Sequence, residues 1–280
     1  VPADSLWMNL RQLLGVVLLA LSLVCCASDD ATPASCTTKL DGFSHRSATV
    51  DGVRVHYVIG GHGPTVVLLH GFPETWWTWR QVMPLLAAQH TVIAPDLRGV
   101  GDSSTGPAYD ADSLADDMHA LIQELGVTRT VMVGHDTGGW TAYAYARRYR
   151  EEVSHLVLSG AVIPGFGFDP LLDFRLPVAG LPHLPFFMQP QIPELLISGR
   201  EHEYFDRFIG SPTVQRSGAV DCYADSYARP GRLTAALGQY RALYVDADHN
   251  RQGAGAPLAM PTLAVSGSAV KRRSAPTVCV

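Results

Sequence analysis

No basic cluster of nucleic-acid-binding size occurs in the 280 residues. Lys and Arg number 21 against 26 Asp and Glu, a modest formal net charge of −5. Arg147, Arg148 and Arg150 group at the end of a helical pattern, where cations complement the helix dipole. The five cysteines follow no metal-ligand spacing and include no C-x-x-C unit, which excludes a zinc site of ordinary pattern. No metal and no cofactor is expected. Internal repeats are absent. The one long apolar run, Leu13–Val24, is too short to span a bilayer.

That run follows Arg11 and has the length of a signal-peptide apolar region, so residues 1–28 are expected to be a targeting segment rather than part of the fold. Met8 is the natural start, leaving 1–7 as upstream read-through, and cleavage is expected after Ala27. Lipidation of Cys25 is the alternative, but Val24 before it fits a lipobox poorly, so simple export is preferred. Of the remaining cysteines, Cys36, Cys222 and Cys279, an exported protein could oxidise one pair, and the spacing does not select which.

Residues 29–45 read as a linker. Ser47–Val50 and Val53–Ile59 alternate in hydrophobicity around Asp51-Gly52, a strong hairpin signal. Val66–Leu69 is a continuous apolar run, as in a strand buried on both faces. Helical spacing follows from Trp76 to Ala88, with a break expected at Pro84, then a strand over Thr91–Ala94 and a helix over Asp112–Leu125. Strands are also expected over Thr130–Val133 and Val153–Leu158, with a helix over Trp140–Tyr149. Alternating strands and helices imply an α/β fold with a parallel sheet covered on both faces. From Pro164 the composition shifts to helices over Glu194–Phe208, Thr213–Tyr227 and Gly231–Tyr244. Pro261–Gly267 then restores a core strand. The expected organisation is a core of 46–163 and 258–267, a helical cap over 164–257, and a tail of 268–280 without periodicity.

The chemistry concentrates in Gly134-His135-Asp136-Thr137-Gly138, between a strand and a helix. It has the form of the nucleophile elbow G-x-S-x-G, with Asp at the apex. A carboxylate there can attack a substrate carbon and form an ester. The competing expectation is that Asp136 only caps the following helix. His70-Gly71-Phe72-Pro73-Glu74 stands at the end of another strand. In open α/β sheets, sites form beyond the carboxyl ends of the strands, so the two motifs converge.

These motifs, with the Asp96–Ser103 loop, resemble the α/β-hydrolase fold, and the Asp elbow resembles its epoxide hydrolase and haloalkane dehalogenase branch. Ile197–Phe205, Tyr223–Pro230 and Tyr240–Leu243 look like the bacterial exported epoxide hydrolases typified by the cystic fibrosis conductance regulator inhibitory factor. The resemblance covers about Ser47 to Gly267. It implies an epoxide substrate attacked by Asp136 through an ester intermediate to give a diol. It implies that His183 and Tyr240 hydrogen-bond the epoxide oxygen, and that the backbone N–H groups of Phe72 and Thr137 form an oxyanion hole. His70, Gly71 and Pro73 belong to the motif, and a homodimer is implied. Thr137 stands where a haloalkane dehalogenase has Trp, which argues against dehalogenation.

The chain departs from the family in two places. The Gly-His-Trp segment carrying the water-activating His is absent, with no His after His249, and the position of the relay acid is Gly160. No substitute for either is found, Asp248-His249 being the weak alternative. The tail looks truncated or frameshifted, so the family's last core strand and helix are expected to be missing and the second step impaired. A haloalkane or haloacid dehalogenase and a non-catalytic scaffold are the alternative readings.

Overall fold

A computed structural model describes residues 39–166 and 183–266. The signal segment, residues 29–38 of the linker, residues 167–182 of the cap and the 268–280 tail lie outside the described residues.

Seven strands form one sheet: β1 (Phe43–Val50), β2 (Val53–Gly61), β3 (Thr65–Leu69), β4 (Thr91–Pro95), β5 (Thr130–His135), β6 (Val153–Ser159) and β7 (Thr262–Val265). Their spatial order is β1-β2-β4-β3-β5-β6-β7. The pairs β1–β2 and β2–β4 are antiparallel, and all others are parallel. The hairpin forms where Asp51-Gly52 places it. Val50 pairs with Val53, and Asp51 and Gly52 have φ of 46° and 81°, the two positive values a two-residue type I′ turn requires. The first strand begins at Phe43, three residues inside the expected linker. Every residue of β3 is buried, so the sheet is covered on both faces there. β7 stands at one edge of the sheet among the described residues, its side chains half-buried or exposed.

The expected helix over Trp76–Ala88 is two pieces, a 3₁₀ turn at Trp76–Trp79 and α1 (Met83–Ala87). Pro84 does not break the helix but opens it, because in the first turn its missing N–H has no partner to lose. Two longer helices, α2 (Ala111–Glu124) and α3 (Thr137–Arg148), pack side by side. Between β6 and β7 the chain inserts α4 (His183–Met188), α5 (Ile192–Ile197), α6 (Glu201–Ile209), α7 (Pro212–Arg216), α8 (Ala219–Tyr227), α9 (Arg232–Arg241) and α10 (Leu243–Gly253). Each of the three long helices expected here is divided: breaks fall at Ser198–Arg200, Ser217–Gly218 and Ala242, and α10 runs well past Tyr244.

The insertion is tied to the core by polar contacts as well as apolar ones. Arg229 bonds Asp102 at 2.8 Å, and Tyr227 donates to the Glu74 carbonyl at 3.1 Å. Asp246 of α10, buried, accepts from the Ala111 N–H at 2.8 Å at the start of α2. Burial, with Asp110 and Asp112 nearby, raises the Asp246 carboxyl to about 7 despite the Ala111 bond and Arg147. The folded protein therefore holds a proton that the unfolded chain releases near pH 4. This stabilisation is complete below pH 4 and is lost as pH rises towards 7. Asp246→Asn keeps an acceptor for Ala111 and removes the charge. It is expected to raise stability at pH 8 by about 1–3 kcal/mol and to do nothing favourable at pH 4. Urea unfolding of both proteins at the two pH values checks this; an equal effect at both would sink the assignment.

Candidate active site

The sheet order reverses between β3 and β5: β3 connects to β4 on one side, β5 to β6 on the other. Ligands bind at such a switch point, beyond the carboxyl ends of the strands. The His70–Glu74 turn leaves β3 there, and Asp136 leaves β5.

Asp136 has φ 49° and ψ −120°, an uncommon conformation for a residue with a Cβ. Its backbone is held on both sides. Its N–H donates to the Ser159 carbonyl at 3.1 Å, and its carbonyl accepts from Gly139 at 2.9 Å. Its side chain makes no cap hydrogen bond to α3. Oδ1 instead accepts from the Phe72 N–H at 3.1 Å. This rules out the helix-cap expectation and aims the carboxylate across the switch point. Gly138 is needed because a Cβ there would run into the carbonyl oxygens of Leu69 and His70. The three segments meet too closely for any side chain at that position.

The turn after β3 is braced by polar contacts. His70 is buried and accepts from the Leu97 N–H at Nε2, 3.1 Å, so its proton sits on Nδ1 and is donated to the Gly71 carbonyl at 2.8 Å. Both ring nitrogens are committed, and His70 serves the turn, not the chemistry. Glu74 accepts from the Gly71 N–H at 3.2 Å and from the Thr78 hydroxyl at 3.0 Å. The Asp96–Ser103 loop is likewise scaffold. Asp96 accepts from the Trp76 and Asp102 N–H groups, each at 2.9 Å, and Arg98 grips Asp117 through two 2.7 Å bonds.

The insertion supplies an aromatic ceiling. Phe72 is met edge-on by Phe187, Phe205, Tyr227 and Tyr240, with ring centroids 5.1–5.8 Å away. Tyr240 also meets Trp140 at 5.5 Å. His183 lies 6.5 Å from Tyr240 and 5.2 Å from Phe208. Burial pushes the Tyr240 hydroxyl well above the phenol range, and the Asp136 charge adds to it, so it stays a donor. Burial lowers the His183 imidazole, outweighing the opposing pull of Asp136. Two uncharged donors thus stand in an apolar enclosure that feels the Asp136 carboxylate. A donor in such surroundings binds a developing oxyanion far more strongly than it would in water.

The structure therefore brings together Asp136, Phe72, His183 and Tyr240, with Gly71 and Pro73 in the turn and Thr137 opening α3 behind the carboxylate. Asp248-His249 is not part of this group. His249 lies 3.3 Å from Asp112 in the first turn of α2. The motifs drew no attention to the bracing contacts of Glu74 and Tyr227. The one available signal was an acid placed three residues after Gly71. Among the described residues, no group of three His, Cys, Asp or Glu side chains could hold a metal, and no helix is long and apolar enough to cross a membrane. Cys222 is disulfide-bonded.

The family model for the alpha/beta hydrolase fold matches residues 64–268. The chain belongs to this family. Among its relatives is the soluble epoxide hydrolase of Corynebacterium sp. (strain C12), 35% identical over 236 residues that span 80% of this chain and 81% of that protein. The fluoroacetate dehalogenase of a Burkholderia species is 31% identical over 82% of this hydrolase and 79% of its own length. The crystal structure of Cfl2 from Burkholderia cenocepacia is similar, with TM-score 0.74 and 39% identity, covering 85% of this chain and 84% of the other.

Proposed function

We propose that this α/β hydrolase opens epoxides to diols through an ester on Asp136. The observation that carries the proposal is the opposition of one carboxylate to two neutral donors, His183 and Tyr240. Phe72 N–H holds Oδ1 and leaves Oδ2 to attack one epoxide carbon in line. The ring oxygen leaves as an alkoxide unless a proton is supplied, and His183 and Tyr240 supply the hydrogen bonds. In the second step the ester carbonyl oxygen keeps the Phe72 bond and gains the Thr137 N–H as the oxyanion hole. Position 160 provides no relay carboxylate, so ester release is the slower step and the intermediate accumulates.

A haloacid substrate fits less well. Among the described residues, the charged side chains acting on Tyr240 are the carboxylates Asp136 and Glu74, and Asp136 also acts on His183; both repel an anion. The leader Arg11 and Leu13–Val24 supports an exported protein. Incubation with epibromohydrin followed by intact mass spectrometry tests the proposal. A mass increase localised to Asp136, with diol appearing more slowly, is expected. Absence of both, or fluoride release from fluoroacetate without diol formation, would refute it.

A further inference from the structure

The turn that supplies the Phe72 N–H is clamped from within and from the cap. Within it, the Glu74 N–H donates to the Gly71 carbonyl at 3.1 Å, and the Glu74 carboxylate accepts from the Gly71 N–H at 3.2 Å. Phe72 and Pro73 are therefore held between two bonds that join the ends of one β-turn. From the cap, Tyr227 at the end of α8 meets this turn on both sides of Pro73. Its hydroxyl donates to the Glu74 carbonyl at 3.1 Å, and its ring meets the Phe72 ring edge-on at 5.3 Å. Phe205 backs the Tyr227 ring at 5.4 Å. Tyr227 is buried, and a buried hydroxyl keeps its partner because breaking the bond would strand it away from water. Burial, with the charges of Glu74, Asp96 and Asp136, holds this hydroxyl far above the phenol range, so it remains a donor.

A second tie from the same corner of the cap goes elsewhere. Arg229 bonds Asp102 at 2.8 Å, on the loop after β4. Docking of the cap and alignment of the turn thus have separate handles. The cap carries His183 and Tyr240, while the turn carries the Phe72 N–H that bonds Asp136 Oδ1 at 3.1 Å.

We infer that Tyr227 is a positioning residue that fixes the Phe72 N–H for the oxyanion of ester release; the inference rests on the epoxide reading above. In ring opening the Phe72 N–H meets a carboxylate that is charged before the reaction begins, so its alignment acts on ground and transition state alike. In ester release, charge develops on the very oxygen it holds, and a fixed donor counts most there. Tyr227 keeps its own proton throughout and touches neither substrate nor Asp136 carboxyl.

Hydrogen–deuterium exchange and single-turnover mass spectrometry with epibromohydrin, both on the full chain, test the inference. Tyr227→Phe keeps the ring against Phe72 and Phe205 and removes the donor. The amides of residues 69–74 are expected to exchange about 10-fold faster, the scale of one neutral hydrogen bond. Ester formation is expected to stay within about threefold of wild type and release to slow about 10-fold, less than the cost of deleting an oxyanion donor outright. Arg229→Met is expected to leave both the exchange of this segment and the ratio of the two steps near wild type. Wild-type exchange in Tyr227→Phe overturns the inference, as does an Arg229→Met protein that matches it, because Tyr227 is then a cap tie like any other. Ester formation slowed as much as release also overturns it, being the mark of a displaced His183 and Tyr240. If Tyr227→Phe fails to fold, Tyr227→4-aminophenylalanine, which keeps an N–H donor on the ring, takes its place; exchange faster than wild type there overturns the inference. A wild-type ester that is never released overturns the release role. Wild-type protein giving neither ester nor diol removes the epoxide reading and the release role with it, while the exchange separately decides whether Tyr227 holds the turn.

Discussion

Asp136→Asn is expected to abolish the ester and to lower diol formation by at least about 10⁴-fold, a loss of roughly 5 kcal/mol of transition-state stabilisation. The size follows from the chemistry. An amide oxygen is a poor nucleophile, and no other described carboxylate accepts from the Phe72 N–H that holds the attacking group. The fold should be spared. Asn tolerates positive φ, as Asp136 must at 49°, and its side-chain oxygen can still accept from Phe72. Intact mass and diol yield read the activity, and thermal melting reads the fold. A folded variant that still gains the epoxide mass at the wild-type rate would place the nucleophile elsewhere.

The second large effect is expected on ring opening. Tyr240→Phe removes one oxygen and keeps the ring that packs on Phe72, Trp140 and Phe187. His183→Phe keeps an aromatic ring beside Phe187 and Phe208 and removes the N–H. Each is expected to slow ester formation by about 10²-fold, and the pair by about 10³-fold or more, since general acid assistance contributes on that scale. The two losses need not add, because both donors serve one oxygen. Ester formation in the wild type should stay flat from pH 7 to 9, because Tyr240 ionises well above the phenol range and His183 is already neutral. Stopped single-turnover mass spectrometry measures the step directly. Unchanged ester formation in the double variant would remove both residues from ring opening.

Local pattern carried the core of the fold. The hairpin at Asp51-Gly52, the buried run of β3 and the strand-turn-helix at Asp136 each depend on residues within a few positions of one another, so periodicity and turn chemistry could reveal them. The insertion was read less well. Its helices break where tertiary packing rewards a change of direction, and its apolar spacing runs through the breaks. Pro84 was misread for a related reason: a proline at a helix start and one at a helix break look alike until the neighbouring turns are placed.

The amino-acid sequence by itself determined the candidate nucleophile, the sheet that presents it and the family the chain belongs to. A carboxylate between small residues at a strand end has few other uses, and two motifs at strand ends must meet at one edge. Only the tertiary structure decided that Asp136 turns towards Phe72 instead of capping α3, that His70 is a brace, and that His135 lies 3.9 Å from Glu74. Each of these depends on which atom of a side chain points at which distant group. That is set by contacts between segments tens of residues apart, and no spacing along the chain encodes it.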